Sequence, residues 1–274
     1  MCAGPPPIGC PGRKNKRFDK QLKLSAINFR RAVPAFAVVL VLAGCAADRG
    51  PGEINDPYEN VNRRVHAFNR GLDKVVVRPS SQVYGTVLPQ TVRTGVSNFA
   101  ENLSVPGTVV NNILQGKPID ALGNTVRFGF NLVFGFGGLA DPASNLGLPL
   151  DPTGFGETLA VWGVREGAYI ELPAFGPSTE RATVGLAADF VLDPLSLVLS
   201  SPEKYVPTGS QVADRVGDRY TFSDFIDSVL YESADSYAQA RQLYLQNTRS
   251  ALGEVTDDDA IDPYAEFGDV PAGQ

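Results

Sequence analysis

The chain has 274 residues with 24 Lys and Arg against 30 Asp and Glu, a formal charge of −6, and a single histidine. That length suffices for one domain of ordinary size with a real core, and the acidic balance argues against nucleic acid as a partner. One histidine and three cysteines give no clustered set of the kind zinc requires.

In chain order, Arg13, Lys14, Lys16, Arg17, Lys20, Lys23, Arg30 and Arg31 precede an apolar stretch from Ala32 to Ala43. A charged region followed by an apolar one has the layout of a secretory signal. Twelve residues are fewer than the ~20 a helix needs to cross a bilayer. The stretch ends in Leu42-Ala43-Gly44-Cys45, which resembles the lipobox of bacterial lipoproteins. Small residues admit a peptidase to the Gly44–Cys45 bond, and Cys45 supplies the thiol that accepts a diacylglycerol. Residues 1–44 therefore read as a lipoprotein signal peptide. The alternatives are an ordinary signal peptide with an incidental Cys45, or a buried anchor helix.

Cysteine usage fits lipidation, because Cys2 and Cys10 lie in the leader and leave Cys45 alone in the processed chain. A lone thiol in an oxidising compartment is a liability that acylation removes. With eight of the bases and one acid in the leader, the processed chain holds 16 bases against 29 acids, a formal charge of −13. Ala46 and Ala47 follow the cysteine with no aspartate directly after it, which by resemblance to the sorting rules of enteric lipoproteins favours the outer membrane. Residues 45–54 form a lipidated tether whose last nine residues reach at most roughly 30 Å, so the body sits close to the bilayer.

Periodicity in the body predicts helices. Asp56-Pro57 offers a cap and a first-turn proline, and Tyr58, Val61, Val65, Phe68 and Leu72 follow at helical spacing. The same logic covers Val92, Val96, Phe99 and Leu103, then Ile119, Leu122, Val126 and Val133, then a long segment from Thr221 to about Ser250. Asp193-Pro194 and Ser178 mark two more helix starts. The longest uncharged stretch of the body, Asn102 to Gly116, is fifteen residues with Pro106 and three asparagines, too short and too polar to span. With 28 Gly and 21 Pro, the expected class is all-α, a single domain of short amphipathic helices over residues 55–250, monotopic in the membrane. Residues 251–274 carry seven acids and no base and read as an exposed, disordered tail.

Enzymatic readings find little support. His66 is the only histidine, there is no Gly-x-Ser-x-Gly elbow, and Cys45 is committed to lipid, so His66 reads as a surface or seam residue. Asp257-Asp258-Asp259 lacks the spacing of a calcium loop. Gly135-Phe136-Gly137-Gly138-Leu139-Ala140 fits Gly-x-Gly-x-x-Ala after Phe128–Phe134, a segment that passes for a strand. Asp141-Pro142 interrupts the helix a dinucleotide would need, so a flexible apolar loop is the better reading.

Longer strings carry a more specific resemblance. Asn55-Asp56-Pro57-Tyr58-Glu59 with Asn62-Arg63, Pro89 to Phe99, Leu114-Gln115-Gly116-Lys117-Pro118, Arg127-Phe128, Gly137 to Ala143, Phe155 to Val164, Leu172-Pro173 and Gly176-Pro177-Ser178 resemble the MlaA family, also called VacJ. The resemblance runs from about Asn55 to Ser250. It implies a helical ring around a central amphipathic channel, held in the inner leaflet of the outer membrane beside a porin trimer. Mislocalised phospholipid would leave the outer leaflet through that channel, pass to the periplasmic carrier MlaC, and reach an inner-membrane ATP-driven complex. No bond is broken in this scheme, so no catalytic residue, metal or cofactor is expected beyond diacylglycerol and an N-acyl chain on Cys45. The resemblance makes Ala67, Phe68 and Asn69 the candidate gate and Gly135–Leu139 a candidate mobile loop. The competing readings are a passive structural or adhesive envelope lipoprotein and, third, a membrane-bound phospholipase that would require His66.

Overall fold

The computed structural model describes residues 54–253; the leader, Cys45 and the acidic tail expected from the sequence lie outside them. The first helix, α1 (Glu59–Leu72), continues through a π-turn (Asp73–Val77) into α2 (Arg78–Val87). Leu88 is extended, as the residue before Pro89 must be, and Pro89 leads into α3 (Gln90–Leu114), a 25-residue helix about 37 Å long. Gly116 at φ 72° reverses the chain, the Lys117 amide donates to the Asn112 carbonyl, and Pro118 opens α4 (Pro118–Phe134). Helix α4 runs antiparallel along α3, since Asn98 near the start of α3 donates to the Leu139 carbonyl just past the end of α4.

A short α5 (Pro142–Asn145) is capped by the Asp141 side chain, and α6 (Phe155–Val161) crosses α7 (Glu180–Leu192). The crossing is close: a Cβ at Gly185 would lie 2.3 Å from the Gly156 amide nitrogen. Between α6 and α7 lies an antiparallel ribbon of β1 (Tyr169–Leu172) and β2 (Gly176–Thr179), with Tyr169 opposite Thr179 and Leu172 opposite Gly176. Then follow α8 (Pro194–Val198), a 3-10 turn, α9 (Val206–Thr221), α10 (Ser223–Asp227), a π-turn (Ser228–Glu232) and α11 (Ser236–Ala251). The fold is thus helical, with a two-stranded ribbon that periodicity did not reveal. No described helix is long and apolar enough to cross a membrane.

Several local expectations are corrected. Asp56 does not cap α1; its carboxylate is taken by Asn62 Nδ2 at 2.9 Å, by the Tyr237 hydroxyl and by Arg241, joining the first helix to the last. The helix expected from Ser178 starts one residue later, with Thr179 Oγ1 accepting from the Ala182 amide, because Ser178 belongs to β2. The segment from Thr221 to Ser250 is broken after Glu232, and Asp235 caps a fresh helix by accepting from the Ala238 amide. Phe128–Phe134 is the last part of α4, not a strand. Asp193 does cap as expected, accepting from the Leu195 and Ser196 amides.

The apolar core is small. Phe155, Leu159, Val184 and Ala188 pack at the α6–α7 crossing, and Tyr169, Tyr237 and Leu245 pack where the ribbon meets α11. Much of the remaining interior is polar.

Candidate functional site

Helix α4 shows how the interior and exterior are divided. Its buried positions are Ala121, Asn124, Arg127 and Asn131, at helical spacing, whereas Ile119 is 82% exposed and Leu122, Val126, Leu132, Val133 and Phe134 are also exposed. The polar face is inside and the apolar face outside, the reverse of a helix packed on a hydrophobic core. The inner face is satisfied by partners: Arg127 donates to Asp141 at 2.7 Å, to Ser144 Oγ at 2.8 Å and to the Leu148 carbonyl at 2.6 Å. Asn131 donates to Asp141 and accepts from the Ala143 amide. Burial opposes ionisation of Asp141, but hydrogen bonds from Ser144, Arg127 and Asn131 outweigh it and hold its pKa at about 2.

The same exposure of large apolar side chains recurs at Val61 and Phe68 on α1, Phe190 and Val191 on α7, and Leu197 and Val198 on α8. So many exposed large apolar side chains on amphipathic helices, none of which among the described residues is long and apolar enough to cross a membrane, suit a body lodged in one leaflet.

A cavity of about 850 Å³ lies between α3, α7, α8 and α9. Apolar side chains line it, among them Leu103, Val110, Leu186, Phe190 and Tyr205. Asn111, Asp189 and Thr153, interleaved with them, belong to a hydrogen-bonded relay. Asn111 donates to Asp189 at 3.0 Å and accepts from the Thr158 hydroxyl at 3.0 Å, and Gln115 donates to both Thr158 and Thr153. Burial pushes the Asp189 carboxyl up, against hydrogen bonds from the Phe155 amide and Asn111. The result is a chamber lined by both apolar and hydrogen-bonding groups.

The MlaA lipoprotein family profile matches residues 54–251, nearly the whole described body. The chain belongs to the MlaA lipoprotein family. It is 35% identical over 211 residues to the intermembrane phospholipid transport system lipoprotein MlaA of Shigella flexneri, spanning 75% of this chain and 82% of that one. An uncharacterized protein of Rickettsia conorii is 34% identical over 199 residues, 72% of this chain and 78% of its own. A solved structure bearing on the maintenance of bacterial outer membrane lipid asymmetry superposes with a TM-score of 0.62 at 32% identity. It covers 72% of this chain and 98% of that one.

The residues marked as a gate by resemblance to MlaA proteins have three different surroundings. Ala67 lines a second cavity, of about 630 Å³, between α1 and residues 231–237. Phe68 is 57% exposed, so it is not a core residue. Asn69 is tied down: its amide donates to the Leu172 carbonyl and Glu171 Oε1, and its oxygen accepts from the Ala174 amide, where the chain takes a positive φ of 65°. The Gly135–Leu139 loop is a turn strapped at its base. The Gly135 and Gly138 amides donate to the Asn131 carbonyl, and a Cβ at Gly135 would lie 2.3 Å from the Ala140 oxygen. Phe136, at φ 54° and 84% exposed, forms its tip.

Sequence reasoning missed the polar groups lining the larger cavity. The available signal was Asn111 within the uncharged stretch from Asn102 to Gly116, read only as evidence against a membrane span.

His66 is not on the surface; it is 5% exposed at the seam of α1, β1 and α11. Its Nε2 lies 3.1 Å from Ser236 Oγ and its Nδ1 3.4 Å from Glu171 Oε1, the order of groups found in acyl-transfer triads. The surroundings point to a clamp instead. The Nδ1 contact is long, Glu171 is shared with the Tyr169 hydroxyl and Asn69, and the Ala238 amide at the head of α11 is already used by Asp235. Among the described residues no group of three or more His, Cys, Asp and Glu is placed to hold a metal ion.

Proposed function

We propose that this chain is the outer-membrane lipoprotein of an intermembrane phospholipid transport system, which maintains lipid asymmetry by removing mislocalised phospholipid from the outer leaflet. The observation that carries this reading is the pairing of an apolar exterior with an amphipathic chamber of about 850 Å³. An exterior of exposed Ile, Leu, Val and Phe keeps the body in the inner leaflet, while the chamber offers acyl chains its apolar lining and head groups the Asn111–Asp189 pair. In this reading the lipid on Cys45 holds the body at the membrane, with Phe68 and Phe136 facing acyl chains at its edge. A porin trimer steadies the protein in the outer membrane, and a soluble periplasmic carrier takes the lipid onward to an ATP-driven inner-membrane complex. The names of the relatives support the system, and the chamber supports a step in which lipid is moved and not cleaved.

The reading is tested by deleting the gene and scoring outer-leaflet phospholipid and detergent sensitivity. Both rise if lipid removal is the function; neither changes if the protein is a passive structural lipoprotein. Mild detergent extraction followed by co-purification tests the porin and the carrier.

A further inference from the structure

The second cavity, beside α1, has a chemistry that the transport reading does not use. Along α1 and into the π-turn that continues it, Arg63, Ala67, Arg70, Gly71 and Lys74 line this cavity of about 630 Å³, together with Tyr231. The small residues Ala67 and Gly71 open the hollow; a Cβ at Gly71 would meet nothing within 4 Å. Three cations border it against one acid, Asp235, which is engaged by Arg63 at 2.9 Å and by the Ala238 amide. Arg63 is therefore neutralised, being bound to Glu59 as well. Arg70 and Lys74 are not paired with any carboxylate among the described residues; Arg70 only stacks on the Tyr231 ring, 5.5 Å from its centroid. The Tyr231 hydroxyl is itself spent on Asp73 at 2.8 Å, which leaves Arg70 as the donor facing the hollow.

Two unpaired cations one turn apart on a helix, over a hollow of small residues, make a receptor for a compact anion. Phe68 of α1 and Val75 of the π-turn directly follow the lining residues Ala67 and Lys74 and are exposed, so an anion seated here has apolar side chains at the edge of its site for attached chains. We propose that this cavity binds the phosphodiester of a glycerophospholipid head group, with Arg70 and Lys74 as its ligands. The proposal rests on the phospholipid-transport reading and adds to it a head-group site distinct from the chamber between α3 and α9. It favours lipids whose head group adds no positive charge, because an ammonium would approach the same two cations.

The test is calorimetric titration of the detergent-solubilised full-length processed protein with dihexanoyl-phosphatidylglycerol below its micelle concentration, with glycerophosphoglycerol and with inorganic phosphate. Arg70→Gln with Lys74→Gln should weaken binding of the first two at least tenfold. Both positions are exposed, so folding should be kept, and a circular dichroism melt checks this. Lys117→Gln, which removes an exposed cation on the α3–α4 turn, should leave binding unchanged. Equal loss in the Lys117 variant, or no loss in the double variant, overturns the site. Binding of inorganic phosphate without either glycerophosphodiester overturns the head-group assignment. A bound phosphodiester in a protein whose deletion leaves lipid asymmetry intact would keep the site and remove only the transport reading.

Discussion

Arg127 donates to the carboxylate of Asp141 across 2.7 Å in the interior of the molecule, and Arg127 is only 3% exposed. In most domains that position would hold a leucine. Here the pair belongs to a polar interior, and removing one member strands the other. Arg127→Ala should cost about 3–5 kcal/mol, read as a drop in unfolding midpoint by circular dichroism in detergent.

The same pair sets an acid limit. Asp141 is held at about 2, below its usual 3.8, so it adds stability above pH ~4 that is lost as pH falls toward 2. Its carboxylate is partly solvated, and screening brings the contribution to about 1 kcal/mol. A melting series from pH 6 to 2.5 should show an acid-side loss that Asp141→Asn reduces.

At the α6–α7 crossing, Gly185→Ala places a methyl 2.3 Å from a backbone nitrogen. Neither neighbour is a side chain that can swing away. The expected cost is about 3 kcal/mol, seen as a lower melting temperature and reduced expression.

Ile119→Asp tests the outward apolar face. On a water-exposed surface this change would be nearly neutral. On a face lodged in lipid it removes a side chain whose burial contributes about 1.5–3 kcal/mol and adds a charge. Flotation with phospholipid vesicles should fall about tenfold or more, with the melting temperature within a few degrees of the parent.

Ser236→Ala removes the hydroxyl nearest His66 Nε2. As a clamp between α1 and α11 it should cost about 1 kcal/mol and leave complementation of a deletion strain intact. Loss of complementation with unchanged stability would instead favour hydrolysis.

These expectations also mark how far the sequence could be read. Periodicity located α1, α3, α4 and the start of α8, because those signals are local: spacing of Val and Leu, and an aspartate before proline. It could not say which face of α4 points inward, since spacing defines a stripe and not its solvent; burial of Arg127 and Asn131 is settled by Asp141 and Ala143 across a turn. Asp56 failed as a cap for the same reason, its oxygens being claimed by Tyr237 and Arg241, about 180 residues away. Ala67, Phe68 and Asn69 are adjacent in sequence but about 100° apart around α1, so they meet a cavity, an open surface and the β-ribbon in turn. The larger cavity draws on residues from α3 to α9 and had no compact motif to announce it.

The central claim is that phospholipid occupies the chamber between α3 and α9. A photo-crosslinking amino acid placed at Leu103, Leu186 or Ile119 in cells labelled with radioactive phosphate addresses it directly. The account predicts labelled phospholipid attached at Leu103 and Leu186, both in the chamber wall, as well as at the lipid-facing Ile119. Label at Ile119 with none at Leu103 or Leu186 would mean that lipid touches only the outside of the protein, and would contradict it.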